Sequence, residues 1–118
     1  MATRNALGWA LVFALVLTAG GRVSGDPQAV GEKVILDNAH VTVYEFVFPA
    51  GFRGEEHAAV ANEFAYVLDG EFTVVTKGRG RRVVRPGEIE YAAEGTVHQS
   101  LNEGTKPNRV LVVLLKKW

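Results

Sequence analysis

The chain has no cysteine among its 118 residues. It therefore forms no disulfide, offers no thiolate nucleophile, builds no cysteine-type zinc site and carries no lipid on an N-terminal cysteine. Its fold must be held by packing alone. It also has no net charge, since 13 lysine and arginine residues are matched by 13 aspartate and glutamate residues. Nucleic acid and anionic lipid are recognised largely through clustered positive charge, so neither is an expected partner. A long apolar run is missing too. The longest, Leu7 to Ala19, has 13 residues, against the roughly 20 that a membrane-spanning helix requires.

A run of that length suits a secretory signal. Arg4 precedes it, no acid occurs before Asp26, and the small residues Val23, Ser24 and Gly25 stand before Asp26–Pro27. A cationic start, a short apolar stretch and small residues at the cut are the features of a signal peptide. We read residues 1–25 as that peptide and 26–118 as one domain exported to the periplasm or the outside, with cleavage after Ala19 or Gly20 as a second position. An uncleaved segment would instead tether the domain to a membrane. Without Arg4 and Arg22, the remaining chain keeps 11 basic residues against all 13 acidic ones, close to neutral. Its one basic cluster, Lys77, Arg79, Arg81, Arg82 and Arg85, surrounds two glycines and reads as a solvated hairpin tip, with an anion-binding patch as the alternative.

Past the leader, short apolar runs alternate with glycine punctuation and no helical periodicity appears. The runs are Val34–Leu36, Val41–Phe48, Glu63–Leu68, Glu71–Thr76, Arg82–Arg85, Ile89–Ala92, Val97–Leu101 and Arg109–Leu115. This is an all-β pattern of about eight strands, the number that closes a barrel or fills a sandwich. Asp69–Gly70 predicts a two-residue hairpin, and Pro49 and Pro86 end strands because proline has no amide hydrogen. The last run is apolar on both faces, as in a strand covered on each side or buried in an interface. A domain of about 90 residues buries a modest share of its surface, so a homodimer is expected.

Two stretches carry the chemistry. In Gly51–Gly70, His57 and Glu63 lie between glycines; in Gly87–Asn102, His98 follows Gly95. These stretches resemble the paired motifs of the cupin family, GxxxxxHxHxxxExxxxxxG and GxxxxxPxGxxHxxxN. Gly51, His57, Glu63 and Gly70 stand at the spacing of the first, with Ala59 at its second histidine. Gly87, Gly95, His98 and Asn102 stand at that of the second, with Ala93 in place of proline. The resemblance implies a jelly-roll β-barrel with one divalent metal, iron, manganese, nickel or zinc, held by His57, Glu63 and His98, and a small organic substrate or ligand. Two histidines and one carboxylate also form the facial set of non-haem iron oxygenases, so dioxygenation leads, with isomerase or lyase chemistry beside it.

Alternation along a strand places Glu63 with Ala65 and Val67, and His98 with Ser100 and Asn102. Phe64, Tyr66 and Tyr91 are expected in the walls or core. Glu63 is the candidate catalytic base, and Glu55, Glu56 or Asn62 could fill the place that Ala59 leaves. The alternative is a non-catalytic, metal-free pocket for a small molecule or sugar. A Ser100 hydrolase is excluded, because no glycine-flanked elbow presents the hydroxyl and no acid orients the histidine. His40 reads as a surface residue.

Overall fold

The computed structural model describes residues 29–117. The expected signal peptide lies outside the described residues. Within them the chain is all β, with nine strands: β1 (Gly31–Asp37), β2 (Val41–Val47), β3 (His57–Ala58), β4 (Glu63–Asp69), β5 (Phe72–Thr76), β6 (Gly80–Val84), β7 (Ile89–Ala92), β8 (Val97–Leu101) and β9 (Arg109–Leu115). Eight correspond to the runs read from sequence. The ninth, β3, has two residues, too few to show alternation.

Every pairing is antiparallel, and the strands form two sheets, one of five in the order β1-β2-β9-β4-β7 and one of four in the order β3-β8-β5-β6. Their inner faces meet over an aromatic core. Tyr44, Phe46 and Phe48, two residues apart along and just beyond β2, point the same way and stack in a row, with ring centroids 5.2 and 5.7 Å apart. Phe48 carries the row to Phe52 and across to Phe72 on the other sheet. Val67, Val110 and Leu114 fill the space between, all buried.

Two expectations are corrected. Asp69–Gly70 is not a hairpin: β4 belongs to the five-stranded sheet and β5 to the four-stranded one, so this turn is a corner between sheets. Gly70 has φ +77°, the left-handed conformation the corner needs, which the dipeptide signals equally well for either use. Phe64, Tyr66 and Tyr91 face outward, with Tyr91 50% exposed, because Glu63 points inward and alternation sends its neighbour out. The C-terminal strand, read as covered on each side or buried in an interface, is not a sheet edge. It is central in its sheet, paired with β2 and β4, and Val110, Val112 and Leu114 are in the core. The basic cluster does form a hairpin tip, since β5 and β6 pair down to Thr76 opposite Gly80.

Candidate functional site

The two histidines are brought together by strand pairing. Residues 51–59 run beside β8 as an irregular ladder, with Gly51 N donating to Asn102 O, Gly54 N to Ser100 O and Ala59 N to Thr96 O at 2.8–2.9 Å. Its regular part is β3, where His57 lies directly opposite His98. Their rings meet edge to face, with centroids 4.8 Å apart. His57 Nδ1 is 3.0 Å from the Glu55 carbonyl oxygen, a contact that fixes the ring's direction.

Glu63 comes from the other sheet. As the first residue of β4, paired with Ala92 and Leu114, it points into the barrel. Its Oε2 stops 3.7 Å from His98 Nε2, with only 12% and 7% of the two side chains exposed. Burial pushes the Glu63 carboxyl up to about 7. Burial, and secondarily the charge of His57, push His98 down to about 4. Desolvation opposes whichever form is charged, so an acid rises and a base falls. Near neutral pH His98 is an uncharged imidazole whose lone pair is available.

One of the ring nitrogens of His98 has no hydrogen-bond partner. His98 Nε2 is buried and makes no hydrogen bond, which is costly for a polar atom removed from water. Glu63 and His98 share a cavity of about 20 Å³ with Ser100 and Glu90, walled by Phe48, Phe72, Val74 and Val112 among others. It has room for one water or one ion. A cation there would take the orphaned imidazole nitrogen and neutralise the carboxylate, and a neutral imidazole with a carboxylate is a donor set that divalent metals accept. His98 and Glu63 fit such an ion, and the ring of His57 lies beside that of His98, with centroids 4.8 Å apart. Among the described residues, however, no three His, Cys, Asp or Glu side chains are already gathered around one point.

The remaining expectations sort by position. Ala65 and Ser100 line the cavity, and Val67 and Asn102 are buried, as alternation requires. Glu55, Glu56 and Asn62 do not fill the place of Ala59: all three are exposed, and Asn62 Oδ1 accepts from Glu94 N. His40 is exposed, in the turn before β2. Asn102, the last motif residue, is a structural clamp. Its Nδ2 donates to the carbonyls of Phe48 and Lys106, and its Oδ1 accepts from Gly104 N. Sequence reasoning missed Glu90. The available signal was its spacing of two from Ala92, which puts both on the inner face of β7. A larger open cleft of about 570 Å³ lies beyond the far end of β4, around Gly70, Arg85 and Lys106, and touches none of the motif histidines.

Comparison with known proteins agrees with this architecture. The sequence pattern of the cupin domain, Cupin_2, matches residues 44–114. The chain is 35% identical over 71 residues to a protein of Aspergillus ruber described as the cupin-domain-containing oxidoreductase fogC, a match covering 58% of this chain and 34% of that protein. It thus spans about a third of that relative's length. Among solved structures, a cupin from Methanocaldococcus jannaschii with a double-stranded β-helix fold superimposes with a TM-score of 0.67 at 17% identity, over 80% of this chain and 86% of that one. The DMSP lyase DddQ of Ruegeria pomeroyi gives 0.67 at 21% identity, over 81% and 52%. KdgF of a Halomonas species gives 0.66 at 19%, over 80% and 87%. With its all-β jelly roll and the two motifs paired with each other in both sheets, β3 with β8 and β4 with β7, the chain belongs to the cupin family.

Proposed function

We infer that this cupin is an exported protein that binds one divalent metal through His57, Glu63 and His98 and acts on a small organic molecule. The observation that carries the reading is the buried, partnerless Nε2 of His98, aimed into a water-sized cavity 3.7 Å from the Glu63 carboxylate. A bound metal supplies Lewis acidity or, if it is iron, the activation of oxygen. The chain's own groups do the rest. His98, held neutral by burial, is a ready donor, and Glu63, whose carboxyl burial raises to about 7 while no metal holds it, would release its proton as the metal binds. Phe48, Phe72, Val74 and Val112 give the cavity an apolar wall. Oxidoreductase chemistry is favoured by the name of the Aspergillus relative, and lyase chemistry is kept by that of the Ruegeria structure.

Metal analysis of the purified protein beside a His57→Ala, His98→Ala variant tests the reading: stoichiometric metal in the first and loss in the second is expected. Equal, near-zero metal in both sinks it. Ala59→His, which restores the family pattern at a buried position, should tighten metal binding in a calorimetric titration. The second reading, a metal-free binding module for a small molecule or sugar, draws support from the lack of a gathered three-residue donor set among the described residues. A melting temperature indifferent to EDTA, but raised by a sugar or apolar ligand, favours that reading.

The homodimer rests on β1. Every residue of this edge strand is exposed, with Val34, Ile35 and Leu36 46–54% accessible, and a bare apolar edge invites another strand. A two-fold axis sets two copies of β1 antiparallel. Centred on Ile35, that pairing brings Lys33 of each copy opposite Asp37 of the other, and Val34 opposite Leu36. Light scattering should report a dimer that Ile35→Lys converts to monomer; a monomeric parent protein refutes it.

A further inference from the structure

The barrel has a seam that neither motif accounts for. β6 ends the four-stranded sheet and β7 ends the five-stranded one, so two free edges lie side by side across the turn that joins them. Among the described residues the only hydrogen bonds between these strands come from Arg82. Its Nη1 donates to the Ile89 carbonyl at 2.8 Å and to Glu90 Oε1 at 2.7 Å.

Strand register shows what lies behind the seam. Arg82 pairs with Val74, which pairs with Ser100. Glu90 pairs with Ala65, which pairs with Val112. All of these except Arg82 line the cavity that holds Glu63 and His98. Arg82 thus completes one row of the wall at its open margin. Its side chain is 49% exposed, while that of Glu90 is 14% exposed. It is the cation at the edge of a cavity whose other polar groups are carboxylates, an imidazole and a hydroxyl.

We propose that Arg82 recognises the carboxylate of a small organic acid, and that Glu90 is the built-in stand-in for that ligand. The acid enters between β6 and β7, its carboxylate replaces Glu90 on the guanidinium, and its apolar body turns towards Phe48, Phe72 and Val74. The inference deepens the proposed small-molecule role and rests on that reading. Three considerations carry it. A cavity of about 20 Å³ admits no organic molecule unless its wall opens, and at this seam two sheet edges are joined, among the described residues, only by the hydrogen bonds of Arg82. Guanidinium is matched in geometry to carboxylate, so replacing one carboxylate by another conserves charge and hydrogen bonds. The Arg82 side chain is itself 49% exposed, so an incoming carboxylate reaches the guanidinium from solvent. The bond from Arg82 to the Ile89 carbonyl keeps the guanidinium at the seam meanwhile.

The test is a nuclear magnetic resonance titration of the full chain, treated with EDTA, with matched acids and amides: acetate and acetamide, propanoate and propanamide, benzoate and benzamide. At least one acid should bind, with shifts concentrated in β6 and β7, and its amide should bind at least ten-fold more weakly. Glu90→Gln removes the internal competitor and should tighten that acid about two- to five-fold. Arg82→Gln should abolish the preference for acid over amide. The proposal is overturned if acid and amide bind alike, if no acid binds at concentrations on the order of 10 mM, or if Arg82→Gln leaves acid binding unchanged. Should Glu90→Gln fail to fold, the acid–amide comparison on the unaltered protein decides alone. Metal content is a separate readout: its absence would sink the metal reading without touching the acid preference, and the converse holds.

Discussion

Glu63→Gln in metal-stripped protein should turn a flat pH dependence of stability into a steep one. Glu63 goes from 4.5 to about 7 in the folded state, and His98 from 6.5 to about 4. Shifts of this size correspond to about 3 kcal/mol each. The signs are opposite. The folded protein holds the Glu63 proton more tightly than the unfolded chain does, so this group's contribution is present below about pH 4.5 and is lost as pH rises to 7. It holds the His98 proton less tightly, so that contribution is present above about pH 6.5 and is lost as pH falls to 4. Across the shared window the two changes nearly cancel. Removing the carboxyl leaves His98 alone, and Glu63→Gln should gain about 3 kcal/mol between pH 4 and 6.5, a rise on the order of 10 °C or more in melting temperature for a domain of this size. His98→Gln should show the reverse, falling between pH 4.5 and 7. Urea unfolding across this range, with the double variant as baseline for all other groups, is the assay. If both single variants run parallel to the double variant, neither group is desolvated as argued.

Asn108→Ala should destabilise the barrel by about 2–4 kcal/mol in urea unfolding, because the fully buried amide accepts from Phe48 N and donates to Glu71 O, and both hydrogen bonds are lost with it. Two motif glycines should respond unequally to alanine. Gly51 has φ +82° with open space around it, so Gly51→Ala costs about 1–2 kcal/mol of backbone strain. Gly70 has φ +77° and would also drive its new Cβ to 3.0 Å from the Asn108 backbone, so Gly70→Ala should cost clearly more; equal melting temperatures for the two variants would contradict this.

The strands were legible because alternation is a local signal. Val41–Val47 buries Thr42, Tyr44 and Phe46 and turns the residues between them outward, as its pattern predicts. The same rule, applied to Glu63, gives an inward Glu63 and an outward Phe64 and Tyr66; assigning the aromatics to the core followed their hydrophobicity and overlooked the face they share. What stayed illegible was non-local. Asp69–Gly70 is a turn whether the next strand pairs with β4 or crosses to the other sheet, and only the strand order decides. Glu90 met Arg82 through the edges of two sheets, and no spacing in the sequence encodes that encounter.

The site inherits both kinds of determination. His57 and His98 are cross-strand neighbours in one sheet, so their separation is fixed by ladder hydrogen bonds whose geometry varies little. Glu63 belongs to the opposite sheet, and its 3.7 Å approach to His98 depends on how the two sheets pack over Phe48, Phe52 and Phe72. Sequence spacing could therefore name all three residues but determine the meeting of only two. The third contact is set by aromatic side chains that the motifs do not specify, so barrels with the same motif residues can differ in whether their carboxylate comes within reach of a shared ion. Here it stops short of hydrogen-bonding distance from an imidazole nitrogen that makes no hydrogen bond. That gap admits a cation, whereas a direct hydrogen bond between the two groups would have closed it.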